Sequence, residues 1–188
     1  GWRYVPRAPD GDTSVLGWQI MALKSAQMAG LNVPATVFTK AEKWLNTVAG
    51  QGDNHGRFGY ASRGDLKPAM TAEALLCLEY MGAKRSDTRL QKGAAHLLAN
   101  LPAKGKGNSY YWYYGTQFMY HMQGEHWKKW EAAMRTTLLG TQRTDGPMAG
   151  SWDPTDQFET SGGRVYTTSL RVLMLEVYYR HLPLYQPL

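Results

Sequence analysis

The chain has 188 residues, of which 43% are hydrophobic and 19% charged, a composition that excludes a disordered segment and predicts one domain with a sizeable core. The net charge is +6, but the basic residues are scattered along loops without a long run, so we expect no nucleic-acid-binding face. The lone cysteine, Cys77, excludes an internal disulfide, and no apolar stretch has the length of a membrane-spanning helix.

Apolar periodicity predicts seven helices, separated by loops rich in Gly, Asp, Asn and Pro. In chain order they are expected at residues 13–30, 35–49, 69–83, 86–100, 110–123, 126–141 and 165–180. The first, third, fifth and seventh are weakly charged, so we expect each to be buried on all sides in an inner layer. The other three are more charged and are expected to form an outer layer. Strand-like alternation never lasts more than a few residues, and the predicted fold class is therefore all-α.

Glycine followed by aromatic residues precedes each weakly charged helix. These turns begin at Gly1, Gly56, Gly107 and Gly150. The helices of each kind recur every 41–54 residues, a period typical of stacked helix pairs. The long loop at 142–164 precedes the last helix and, like the other long loops, is expected to serve a function.

Two of these turns have the spacing of a known repeat. Gln51-x4-Gly56-x-Phe58 and Gln142-x7-Gly150-x-Trp152 resemble the QW repeats of the squalene–hopene cyclase and protein prenyltransferase superfamily. In that superfamily the segment joins an outer helix to the next inner helix, and its aromatic residue stacks on the Gln. The resemblance implies that Trp2, Phe58 and Trp152 tie helix pairs together, with Gln51 and Gln142 as partners.

The resemblance implies an α/α-toroid-like arc with four inner and three outer helices. A closed toroid in this superfamily has about a dozen helices, so we expect residues 1–188 to be one domain from a longer chain. The alternative is a compact half-toroid whose concave side stays open or is covered by a partner. With no initiator Met and no signal-like segment at Gly1, we expect a processed or excised soluble chain without signal peptide; the compartment stays open.

The segment Pro9–Ser14 resembles the acid-motif region of class II terpene cyclases. The cyclases place two adjacent acids directly before Thr. Here only Asp12 directly precedes Thr13, and Gly11 separates Asp10 from Asp12. Asp10 and Asp12 are the candidate catalytic acids, one carboxyl being kept protonated by its neighbour. The structural alternative is that Asp12 caps the first helix and Asp10 lies in a Pro-Asp-Gly turn.

A run of five aromatic residues, Tyr110-Tyr111-Trp112-Tyr113-Tyr114, opens the fifth helix. In the cyclases such rings line the cavity and stabilise cations, and elsewhere they stack on sugars. Tyr111, Trp112, Tyr113, Tyr114 and Trp152 are thus the candidate ligand-binding residues. The alternative is core packing, because five consecutive side chains point all around a helix.

Three functions remain open. The first is a cyclase-like repeat domain that acts as a binding or interaction scaffold. The second is part of an enzyme, a class II cyclase-like isomerase or lyase, acting on an isoprenoid or other apolar substrate. The third, by fold analogy, is carbohydrate binding or polysaccharide processing. The expected partner is an apolar or sugar ligand, or the rest of the parent chain. We expect no cofactor and no metal, and a buried, inert thiol at Cys77.

Overall fold

The structure, a computed structural model, describes residues 1–106 and 108–180. Gly107, where the third glycine-aromatic turn was expected to begin, lies outside the described residues. The described part of the chain is all-helical and has no strand, as predicted. It has eight helices where seven were expected, because the last expected helix is divided into α7 and the short α8. The helices are α1 (Thr13–Met28), α2 (Ala35–Val48), α3 (Pro68–Tyr80), α4 (Thr88–Leu98), α5 (Ser109–Met122), α6 (Gly124–Leu139), α7 (Gln157–Leu175) and α8 (Val177–Arg180).

Short polar side chains and a proline start the helices. Asp12, Asn108 and Asp156 each accept a hydrogen bond from a backbone N–H in the first turn of α1, α5 and α7. These bonds satisfy donors that a helix N-terminus otherwise leaves unpaired. Pro68 is the first residue of α3, where its missing N–H costs nothing. The helix starts expected from the sequence are therefore close to the observed ones.

The seventh predicted helix is the exception. It was expected to begin at residue 165, but α7 begins at Gln157, about two turns earlier, inside the segment predicted as a loop. Asp156 caps this extension, and Gly163, with a φ of 75°, interrupts it. That left-handed backbone conformation favours glycine, so the segment is in effect two short helices joined at a kink.

The prediction that the weakly charged helices are buried on all sides is correct for two of the four. Every residue of α3 from Met70 to Tyr80 is buried, and so is nearly all of α5. The prediction is wrong for α1 and α7, where Trp18 is 52% and Val165 80% exposed. Each of these two helices contacts one weakly charged neighbour, α3 for α1 and α5 for α7, so its opposite face stays open.

The chain divides into two compact units, Gly1–His96 and the residues from Leu97 onward. In the first unit α1 packs on α2 and α3, and in the second α5 packs on α6, α7 and α8. A glycine permits a close approach in each unit. A Cβ at Gly17 would clash with the carboxylate of Glu73, and one at Gly115 would lie 2.6 Å from the Trp130 ring.

Candidate functional site

Asp12 is a buried helix cap. Its Oδ1 accepts hydrogen bonds from the Val15 N–H and the Ser14 hydroxyl, both at 2.7 Å. Its Oδ2 lies 3.9 Å from Nε of Arg3 and accepts no hydrogen bond from the described residues. Asp10 is exposed and lies 3.8 Å from the same Arg3 nitrogen. The two candidate acids therefore share a guanidinium group and differ sharply in burial, and Asp12 has the capping role of the structural alternative.

A tyrosine lies beside this carboxylate. Burial raises the pKa of Tyr60 to about 12, and the Tyr4 hydroxyl and the charge of Asp12 add to the effect. The phenol is therefore neutral and can only donate or accept a hydrogen bond at neutral pH. Thr13, the next residue, donates its hydroxyl proton to the Gly59 carbonyl at 2.7 Å. The start of α1 is thus fixed to the glycine-aromatic turn that follows α2.

The aromatic run at the start of α5 is mostly core. Tyr111, Trp112, Tyr113 and Tyr114 are at most 5% exposed, and Tyr110 is half-buried. The Tyr111 hydroxyl donates to the Asn100 carbonyl at 3.0 Å, and burial raises its pKa. Burial to this degree leaves little free ring face for a sugar or a cation. A ligand-binding role for these residues stays a prediction, and packing is the role that their placement supports.

Trp112 contacts a buried ion pair that the sequence analysis missed. The guanidinium of Arg171 lies 5.6 Å from the centre of the Trp112 ring and donates to both oxygens of Glu159, each at 3.2 Å. Ser109 and Thr155 donate their N–H and hydroxyl protons to the same carboxylate. Burial alone would raise the pKa of Glu159, but these donors together lower it. The carboxylate therefore stays charged and ties the first turn of α5 to α7.

The repeat residues form two comparable turns. Phe58 and Trp152 are each 1% exposed, and each donates its backbone N–H to a threonine hydroxyl early in the following weakly charged segment, Thr71 at 3.0 Å and Thr168 at 3.3 Å. The Trp152 indole also donates to the Leu138 carbonyl at 2.8 Å. Each aromatic residue thus fixes a turn to a helix, which supports a repeat-like architecture.

The glutamines of the repeat have unequal environments. Gln142 donates its side-chain amide to the Gly150 carbonyl at 2.9 Å and so closes its turn, whereas Gln51 is exposed. Gly56, with a φ of 87°, is buried against α4: a Cβ there would lie 2.7 Å from backbone atoms of that helix. Trp2 is half-buried and accepts the Asp12 N–H through its carbonyl. The stacking of aromatic rings on Gln stays a prediction.

A buried carboxyl on α3 also escaped the sequence analysis. Glu79 is 3% exposed, and neither of its oxygens forms a hydrogen bond with the described residues. Burial raises its pKa well above the usual range, and the charge of Arg85 opposes this only in part. Cys77, on the same helix, is buried as predicted. The apolar run around Glu79 was the only sequence feature that could have indicated its burial.

An apolar groove of about 860 Å³ lies on the outer side of α6, within the second unit. Small residues of α6 form its floor, and the segment after α4 forms its wall; we call it the α6 groove. Its lining residues are Leu98, Leu101, Pro102, Ala103, Lys104, Lys129, Ala132, Ala133, Thr136, Thr137, Gly140 and Thr141. The Thr137 hydroxyl donates to the Pro102 carbonyl at 3.1 Å and fixes floor to wall. None of the predicted site residues lines this groove.

Comparison with models of known families, with curated proteins and with solved structures gives no match for this chain. Among residues 1–106 and 108–180, no three His, Cys, Asp or Glu side chains are grouped to hold a metal ion. No helix within these ranges combines the length and apolar character needed to cross a bilayer.

Proposed function

We propose that this chain is a helical-repeat binding scaffold of the α/α-toroid type, which resembles the cyclase and prenyltransferase superfamily in its helix pairs and recognises another molecule through the α6 groove. The observation that carries the proposal is the groove itself. It is concave, mostly apolar and large enough for a drug-sized ligand or several side chains. Exposed apolar concavities of this kind are typical of binding sites.

The contacts of the candidate catalytic residues support a scaffold. One carboxylate oxygen of Asp12 accepts a hydrogen bond in the first turn of α1. The side chains of the aromatic run are buried in the packing around α5. Each of these residues has a structural task that does not require a substrate. The α6 groove, in contrast, is a mostly apolar concavity that is open on one side.

The test is a titration of the full chain with the fluorescent apolar dye 8-anilinonaphthalene-1-sulfonate, which binds exposed apolar surface. We expect saturable binding by the wild type and about tenfold weaker binding by Ala132→Trp, which places a large ring in the groove. Ala22→Trp, at an exposed alanine of α1, is the matched control and should bind as the wild type does. Equal binding by the two variants, at unchanged melting temperature, would overturn the proposal.

One observation favours an enzyme as the second candidate. Oδ2 of Asp12 is buried and takes no part in capping α1, so it is the oxygen of this carboxylate that a substrate could contact. Under this alternative the carboxylic acid would protonate an alkene of an isoprenoid. Incubation of the chain with a linear isoprenoid should then yield a cyclised product that Asp12→Asn abolishes and Asp10→Asn does not. The scaffold proposal predicts no product from any of the three proteins.

A further inference from the structure

We infer that the α6 groove takes an amphipathic helix of a partner protein, with large apolar side chains on one face and acidic residues flanking it. This inference rests on the proposed scaffold function and names the chemistry of its ligand. Three features of the groove support it. Its floor consists of small residues, and two lysines lie at its rim. The groove also has neither the sheet edge that a peptide strand needs nor the aromatic rings that a polyproline helix needs.

The floor permits a close approach of another helix. Ala132, Ala133, Thr136 and Gly140 lie along the outer side of α6, over about 12 Å of its axis. Their short side chains leave room for large apolar side chains of a ligand, and Leu101 on the wall supplies apolar contact. The opposite side of α6 is occupied by buried large residues, so the groove is supported by a packed helix.

Other modes of peptide recognition lack their structural requirements here. A peptide that adds as a strand needs an exposed sheet edge, and the described ranges contain no strand. A polyproline helix needs a groove lined by aromatic rings, and no aromatic residue lines this one. An apolar groove beside a helix instead fits the helix-in-groove mode, in which an amphipathic helix inserts residues spaced at i, i+3, i+4 and i+7.

The charges at the rim select the partner. Lys104 and Lys129 are exposed and form no ion pair with the described residues, whereas Lys128 and Arg135 of the same helix pair with Glu125 and Glu131. The charge of Lys129 helps to lower the pKa of Glu125, but neither lysine is held in an ion pair with the described residues. Two ammonium groups outside ion pairs beside an apolar floor favour a ligand that places carboxylates at the edges of its apolar face. The chain's net charge of +6 adds a long-range attraction for such a ligand.

The experiment is fluorescence anisotropy of labelled helical peptides, about 16 residues long, with the full chain. One peptide has a leucine face flanked by glutamates, the second has the same face flanked by lysines, and the third has the glutamates but a scrambled leucine pattern. We expect saturable binding of the first peptide only. The double variant Lys104→Glu with Lys129→Glu should weaken it about tenfold and should bind the lysine peptide instead. Lys40→Glu with Lys43→Glu, on α2, is the matched control.

Each outcome separates the inference from the scaffold proposal. Equal binding of the acidic and basic peptides, or equal binding of the acidic peptide by the wild type and by the double variant at Lys104 and Lys129, overturns the inference. Neither result affects the scaffold proposal, which is tested by dye binding. Loss of dye binding by the wild type as well overturns both. Binding of the scrambled acidic peptide would show simple charge attraction and overturn the role of the groove. Both lysines are exposed, so the double variant is expected to keep the melting temperature of the wild type.

Discussion

Replacement of Glu79 by glutamine should stabilise the chain, and by an amount that grows with pH. The carboxyl is 3% exposed, without a hydrogen bond from the described residues, and burial raises its pKa well above the usual range. In the unfolded chain the pKa of a glutamate is about 4.3. Because the folded pKa is the higher one, folding favours the protonated form. The contribution of protonated Glu79 to the unfolding free energy is complete below about pH 4.3 and is lost as the pH rises towards the folded pKa.

The magnitude follows from that difference in proton binding. Each pH unit between the two pKa values costs the wild type about 1.4 kcal/mol of unfolding free energy, because the folded state holds one proton more. Glutamine has nearly the shape of the protonated acid and does not titrate. Glu79→Gln should therefore match the wild type near pH 4.3 and exceed it by about 1.4 kcal/mol for each pH unit above, until the folded pKa is reached.

Urea unfolding of both proteins between about pH 4 and pH 8 gives the difference directly. Glu176→Gln, at an exposed carboxylate of the residue that follows α7, is the matched control and should leave the pH dependence of the wild type unchanged. Parallel stability curves for the wild type and Glu79→Gln would refute the reasoning. They would mean that the carboxyl ionises in the folded chain as easily as in the unfolded one.

Three further substitutions test contacts of the fold by urea unfolding. Asp12→Ala removes the cap of α1 and should cost about 1–2 kcal/mol. Arg171→Met removes one partner of a buried ion pair, leaves the charge of Glu159 uncompensated and should cost about 3–5 kcal/mol. Gly115→Ala places a Cβ 2.6 Å from the Trp130 ring and should cost about 1–3 kcal/mol through overpacking.

Each of the three has a distinct contradicting result. Asp10→Ala should leave the stability nearly unchanged, so a loss as large as that of Asp12→Ala would argue against the capping role. If Arg171→Met unfolds at the same urea concentration as the wild type, the ion pair is not a structural tie. A neutral or stabilising effect of Gly115→Ala would show that Trp130 moves aside at little cost.

The helices could be predicted from the sequence because they depend on local rules. Periodicity defines the apolar faces, and Asp12 and Pro68 mark helix starts wherever the rest of the chain lies. The last helix was misplaced because Asp156 and Gly163 lie in a glycine-rich stretch with loop composition. A cap followed by a helix-breaking glycine describes two short helices, which periodicity over a long window does not resolve.

The site depends on contacts between distant residues and so was harder to predict. Glu159 and Arg171 lie on either side of the kink at Gly163 in α7, and nothing in their sequence spacing indicates that Ser109 of α5 joins them. The aromatic run was noticed, but its burial depends on how many neighbours surround α5. The α6 groove is made of small residues such as Ala132, which have no distinctive chemistry in a sequence.

Hydrogen–deuterium exchange of the full chain with and without the acidic helical peptide tests the account most directly, because it locates the binding surface. The account predicts added protection in residues 98–104 and in α6, and none in α1. It predicts that the protection disappears in Ala132→Trp, although that variant folds as the wild type does. Protection confined to α1 and the residues around Asp12, with α6 unchanged, would contradict the central claim.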